Sequence, residues 1–227
     1  MSSVVYAVVI FVLSVLFLGA QSQIPMLGPC PGDKLPTQAN FDMQKYMGIW
    51  YEYYRNFILF ELGDKCSRAN YTLQPDGKIK VVNTGEKAIF GTKNVAFGEA
   101  YAPDPADASK LIAKVGGGPE SPYWVLATDY ENYSVVYLCV DKRIPGLPMF
   151  PWRKEILWVL SRSREDFSAE LLAEINEKID RLNITRKFLM RTDQTNCSDG
   201  PETESTKMKF IPAQSAKRPP TISFNEI

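Results

Sequence analysis

Between residues 49 and 162 apolar and polar positions alternate in short runs, and turn-forming residues break the pattern every ten or so positions. Successive strand side chains point to opposite faces, so this alternation predicts strands with one buried face. Eight runs fit, at 49–57, 66–74, 78–84, 95–101, 110–115, 123–129, 133–140 and 154–162. In the third, Ile79, Val81 and Asn83 share one face while Lys80 and Val82 take the other. Pro75-Asp76-Gly77 before it reads as a tight hairpin turn. Eight antiparallel strands that close on themselves leave no open edge and enclose room for one small ligand. The expected fold is all-β, an eight-stranded antiparallel up-and-down barrel.

Past Arg162 the period changes. Leu171, Leu172, Ile175, Ile179 and Leu182 recur at helical spacing, opposite Glu170, Glu174, Glu177, Lys178 and Arg181. Ser163 with Asp166 three residues on offers a capping box, so one C-terminal helix is expected against the outside of the barrel. Ahead of the first strand, Pro25, Pro29, Pro31 and Pro36 predict an extended, irregular lead-in. Asn40 or Asp42 can cap a short helical turn that ends at Gly48, where the backbone turns sharply or approaches another segment closely. Trp50 follows, burying a large ring.

The ends differ from this middle. Residues 4–18 are apolar apart from Tyr6 and Ser14, the length of a signal-peptide core and short for a membrane span. Cleavage after Ala20 or Ser22 makes 1–22 a signal peptide and the mature chain secreted. Residues 199–227 are polar and unperiodic, a flexible tail, leaving 23–198 as one domain.

Charge and composition narrow the chemistry. The 26 basic and 26 acidic residues cancel, so no global field draws the chain to nucleic acid. The chain has no histidine, which removes histidine triads, histidine-ligated haem and the usual zinc sites. No phosphate loop, metal-ligand spacing or purposeful carboxylate pair is present, so neither catalytic residues nor a metal nor a cofactor is expected. Four cysteines in a secreted chain read as two disulfides, with three pairings open.

Three stretches in order carry a resemblance. They are Asn40-Phe41-Asp42 through Tyr46, Gly48, Trp50 and Tyr51; Thr128-Asp129-Tyr130 after Trp124; and Arg162 ending the last strand. Together they resemble the motifs of the lipocalins, small extracellular carriers built as an eight-stranded calyx. The wording around Tyr46, Cys66-x-x-Ala69-Asn70-Tyr71 and Ala127 to Tyr133 is most similar to the apolipoprotein D branch and its insect relatives, the Lazarillo-like and bilin-binding lipocalins.

The resemblance implies bridges Cys30–Cys139 and Cys66–Cys197, roughly 4–5 kcal/mol each in the chain-entropy model. With no spare thiol, the activity of the lipocalin-type prostaglandin synthase is not expected. It implies that Arg162 stacks on Trp50 beside Gly48 and closes one end of the barrel, a contact of about 0.5–2 kcal/mol. It implies a ligand site in the interior at Tyr46, Tyr71, Asn83, Trp124 and Trp158. The implied ligands are a fatty acid, steroid, retinoid or bilin pigment, with a role in lipid handling and protection from lipid oxidation. Sequons at Asn70, Asn132 and Asn183 are candidate glycosylation sites; a fourth, at Asn196, is disfavoured by its neighbouring cysteine. A second reading makes the barrel a scaffold that docks on lipoprotein, membrane or receptor through the apolar loop 57–62.

Overall fold

The computed structural model describes residues 25–56, 63–89, 91–144 and 147–198. The expected signal peptide, the apolar loop 57–62 and the polar tail 199–227 lie outside the described residues.

Ten strands form one antiparallel sheet: β1 (Pro25–Leu27), β2 (Gly48–Asn56), β3 (Asp64–Leu73), β4 (Ile79–Lys87), β5 (Lys93–Tyr101), β6 (Lys110–Val115), β7 (Ser121–Thr128), β8 (Tyr133–Ile144), β9 (Leu147–Ser161) and β10 (Leu189–Arg191). From β2 to β9 each strand pairs with the next, and β9 pairs back on β2 from Tyr51↔Ser161 to Arg55↔Trp158. That last ladder closes the barrel and removes its edges. The eight expected strands are therefore the eight of the barrel. The two extra strands lie on either side of the seam, β1 on β9 and β10 on β2. Sequence alternation misses both, because three residues are too few to show a period.

Two α-helices and two 3-10 turns, Gly32–Lys34 and Pro105–Asp107, complete the elements of the described residues. In α1 (Met43–Tyr46), Asp42 is the cap and its Oδ1 accepts from the Lys45 amide at 3.1 Å. α2 (Ala169–Arg181) lies against the outer face of β8 and β9 through Ile175 and Ile179, both fully buried. Their partners are Val135, Tyr137, Leu157 and Val159, while Val136 and Leu160 on the alternate positions fill the interior. Covered on both faces, this part of the wall is apolar without alternation, which is why residues 156–160 carry no polar position. Each such side chain contributes about 1.5–3 kcal/mol on burial.

The helix starts later than the sequence suggests. Its cap is Ser168, whose Oγ accepts from the Leu171 amide at 3.2 Å. Ser163 Oγ instead accepts from the Glu165 amide, and Asp166 accepts from Arg191 and the Tyr53 hydroxyl. The helix ends on Asn183, whose φ of 56° lets Ile184 donate back to the Ile179 carbonyl.

Both bridges are formed, Cys30–Cys139 and Cys66–Cys197, and no cysteine is free. The first ties the lead-in to β8; the second ties the segment after β10 to β3. That segment is also held by Gln194, whose amide donates to the carbonyls of Glu52 and Ser67.

Candidate ligand-binding site

One end of the barrel is shut by backbone chemistry. Gly48 has φ +95°, and a Cβ there would lie 3.3 Å from Arg162 Nη1, so the glycine permits both the turn and the approach. The Arg162 guanidinium lies 3.7 Å from the centre of the Trp50 ring. Its nitrogens donate to the carbonyls of Tyr130, Ile49, Lys45 and Tyr46 at 2.8–3.3 Å. Trp50 is fully buried, and its Nε1 donates to the Tyr46 carbonyl at 2.9 Å. One cation thus satisfies carbonyls from the α1–β2 junction and from the β7–β8 turn, where no ladder could reach them.

The β7–β8 turn is braced in the same way. Asp129 accepts from the amides of Glu131, Asn132 and Tyr133 at 2.8–3.2 Å. Burial pushes its carboxyl up, but these amides and the Asn132 side chain together bring it below the ordinary carboxylate value. Tyr130 reaches across, and its hydroxyl accepts from the Asp42 amide at 2.9 Å.

Above this plug lies a tier of phenols. Tyr46 stacks on Tyr71 at 5.8 Å between ring centres. The Tyr123 hydroxyl shares hydrogen bonds with those of Tyr71 and Tyr46, at 2.8 and 3.1 Å, and Tyr46 also meets Ser134 Oγ at 3.0 Å. Burial pushes the Tyr46 phenol up to about 12 and raises those of Tyr71 and Tyr123 well above the ordinary phenol value, so all three are neutral hydrogen-bonding groups at physiological pH.

Beyond the phenols the inner wall is apolar and less tightly covered. Ala96, Ala113, Val115 and Trp158 face inward and are only half-buried. Asn83 also faces inward, between Ala69 and Ala96 on the neighbouring strands, and its buried Oδ1 has no hydrogen-bond partner. A buried amide oxygen left unpaired costs about 1–3 kcal/mol, which a donor on a bound molecule would recover.

The structure gathers Tyr46, Tyr71, Asn83 and Trp158 in the interior, in that order from the plug. Trp124 is on the other face. It pairs with Tyr137 of the outer cluster, lies beside the Cys30–Cys139 bridge, and carries Lys110 Nζ at 5.3 Å from its ring. Its inward neighbours are Tyr123 and Val125, so Tyr123 is the aromatic that β7 presents to the interior. Sequence reasoning passed over Tyr123. Its two-residue offset from inward Val125 was the signal that could have found it. Of the sequons, Asn132 and Asn183 are exposed, and Asn70 faces outward from β3 half-buried.

Comparison with known proteins agrees with this architecture. A family model described as a lipocalin-like domain matches residues 41–194. The chain is 40% identical over 188 residues to apolipoprotein D of Macaca fascicularis, covering 82% of this chain and 94% of that relative. It is 31% identical over 159 residues to the Lazarillo protein of Schistocerca americana, covering 69% and 71%. Among solved structures, insecticyanin of Manduca sexta superposes with a TM-score of 0.62 at 24% identity, over 78% of this chain and 90% of that one. Lobster apocrustacyanin A1 gives 0.61 at 21% identity, over 77% and 92%.

Proposed function

The chain belongs to the lipocalin family, and we propose that it is a secreted carrier that holds one small hydrophobic ligand inside the barrel. The observation that carries this reading is the graded interior. A shut, hydrogen-bond-satisfied end gives way to half-buried apolar and aromatic side chains around Asn83, whose buried Oδ1 has no hydrogen-bond partner. Such a wall stabilises an elongated lipophilic molecule by removing its surface from water, at about 25 cal/mol per Å², and the few polar groups fix its orientation. Two disulfides and exposed sequons at Asn132 and Asn183 suit an extracellular protein.

The ligand classes carried over from the resemblance are fatty acids, steroids, retinoids and bilins, with lipid handling and protection from oxidation as the physiological role. Tyr71, Tyr123, Asn83 and Trp158 are the residues we assign to contact. Organic extraction of the native protein followed by mass spectrometry tests the reading. One stoichiometric lipophilic compound supports it; a folded protein that yields none and binds none on titration refutes it. Trp158→Ala is expected to weaken lipophilic ligands about tenfold while the protein stays folded, because the indole supplies a large apolar contact. Unchanged affinity would displace Trp158 from the site.

A further inference from the structure

The outer face of β3 to β5 carries a basic groove. Ala69 and Val81 point into the barrel, so Arg68, Thr84 and Glu86 on the alternate positions point out. Register sets two outward rows side by side. Tyr51, Arg68, Thr84 and Val95 form one across β2 to β5, and Lys65, Glu86 and Lys93 form the other across β3 to β5. The groove is lined by Arg68, Lys93, Arg164 and Glu86, with Cys66 of the second disulfide beside them. Arg68 Nε donates to Thr84 Oγ1 at 3.0 Å. The Arg164 guanidinium, arriving from the segment after β9, lies 4.6 Å from the centre of the Tyr51 ring.

This groove is also where the chain leaves the barrel. Cys197 is tied to Cys66 at its edge, and Ser198 is the last described residue. Ser198 donates to Glu86 Oε1 from its hydroxyl at 2.6 Å and from its amide at 3.4 Å. The Ser198 hydrogen bonds, helped by the Lys65 and Lys93 charges, hold the Glu86 carboxyl below the ordinary value. Among the described residues Glu86 is the one acid that lines the groove, against three bases, with Lys65 a fourth alongside. Nearby Asp64 and Asp193 are engaged by Lys87 and Thr195. The six residues that follow are Asp199-Gly200-Pro201-Glu202-Thr203-Glu204, three acids and no base. Residues 205–227 reverse the balance, with four bases and one acid. Six extended residues reach about 20 Å, and strands lie about 4.8 Å apart, so the acidic segment can cross every base named.

We propose that the groove is the docking site of the chain's own segment 199–204, whose carboxylates lie against Arg68, Lys93 and Arg164. Guanidinium groups take carboxylates in a two-pronged geometry, and half-buried ones are screened less than exposed ones. Tethering selects the occupant. Ser198 is already bonded inside the groove, so the acids that follow it stand at a local concentration that no separate acidic peptide would match. The docked segment covers the Cys66–Cys197 bridge and splits the tail in two. Its acidic start belongs to the barrel wall, and its basic remainder does not.

Backbone nitrogen relaxation on the full secreted chain at low salt tests this. Residues 199–204 are expected to show order parameters of about 0.8, and 205–227 values below about 0.6. Replacing the three acids together, Asp199→Asn, Glu202→Gln and Glu204→Gln, should drop the first segment to the level of the second and shift the amide resonances of Thr84 and Val95. The change lies in the tail, so the barrel stays folded. Salt at about 0.5 M should act in the same direction, since it screens the pairs. Lys93→Glu, at an exposed position, should lower the values from the groove side. Order parameters below about 0.6 in the wild type would overturn the proposal. So would rigid values that survive loss of the three acids, because the Cys197 tether alone would then order the segment. Unmoved Thr84 and Val95 resonances would place the segment elsewhere and overturn it too. Ordering that grows with protein concentration would put the tail of a second copy in the groove, which overturns docking within one chain.

Discussion

The two ends of the barrel are built from the same strands but satisfy their polar groups in opposite ways. At the plug, Arg162, the Trp50 indole N–H, the Tyr130 hydroxyl and Asp129 all end in hydrogen bonds within the chain. At the far end, Asn83 Oδ1 and Trp152 Nε1 are buried without partners, and Lys154 is half-buried beside another cation. Leaving such groups unmet costs free energy, and folding gains nothing by it. A chain that satisfies one end so fully and leaves the other incomplete has divided stability from recognition along a single axis.

Two tryptophans give the sharpest test of that division. Trp50→Ala should cost about 3–5 kcal/mol, because it opens a large cavity and strips Arg162 of its stacking surface. Trp158→Ala should cost clearly less, since the ring is only half-buried, and its main effect should be on the ligand. Urea denaturation with the disulfides intact reads the difference. Equal losses at the two positions would erase the distinction between a structural end and a binding end.

How far the sequence shows this depends on how local each signal is. The barrel strands are legible because alternation repeats over six or more residues, and Ile79, Val81 and Asn83 share a face in the structure as they do in the pattern. The start of α2 is not, because the Ser163–Asp166 spacing fits a cap while Asp166 is engaged by Arg191, twenty-five residues away in sequence. Adjacent aromatics hide their own parity: Tyr123 and Trp124 look equally suited to a pocket. Only the register, which sets Leu111 opposite Tyr123 and Lys110 opposite Trp124, decides which faces in. Lys154 was illegible for a different reason. A lysine in a strand reads as a solvent-facing position, and only the ladder from Trp158 shows that it belongs to the inner row.

A smaller effect should come from the corner between β5 and β6. At Gly98 a Cβ would fall 2.3 Å from the Lys114 carbonyl oxygen and 2.7 Å from the Val115 Cα, so the strands can cross only without a side chain. Both obstacles are backbone, and Gly98→Ala must push β6 away from β5, at a cost of about 1–3 kcal/mol. Because Val115 and Ala96 line the less covered half, the shift should loosen ligand binding as well as stability. A variant with lower stability and unchanged ligand affinity would show that the two functions are separable even within that half.

The smallest expected effect is the one that isolates charge at the plug. The folded Asp129 carboxyl lies below the ordinary value of about 3.9. A depressed acid contributes stability that is present above its unfolded value and is lost as pH falls through its folded value. Asp129→Asn keeps an oxygen in place for the amides but removes the charge. The wild type should therefore be more stable than the variant at pH 7, and the gap should close as pH drops below about 4. A gap that stays constant down the acid limb would mean that the turn needs the shape of Asp129 and not its charge. The plug would then rest on Arg162 as its one charged member, and replacing Arg162 with a neutral isostere would cost more than replacing any residue of the β7–β8 turn.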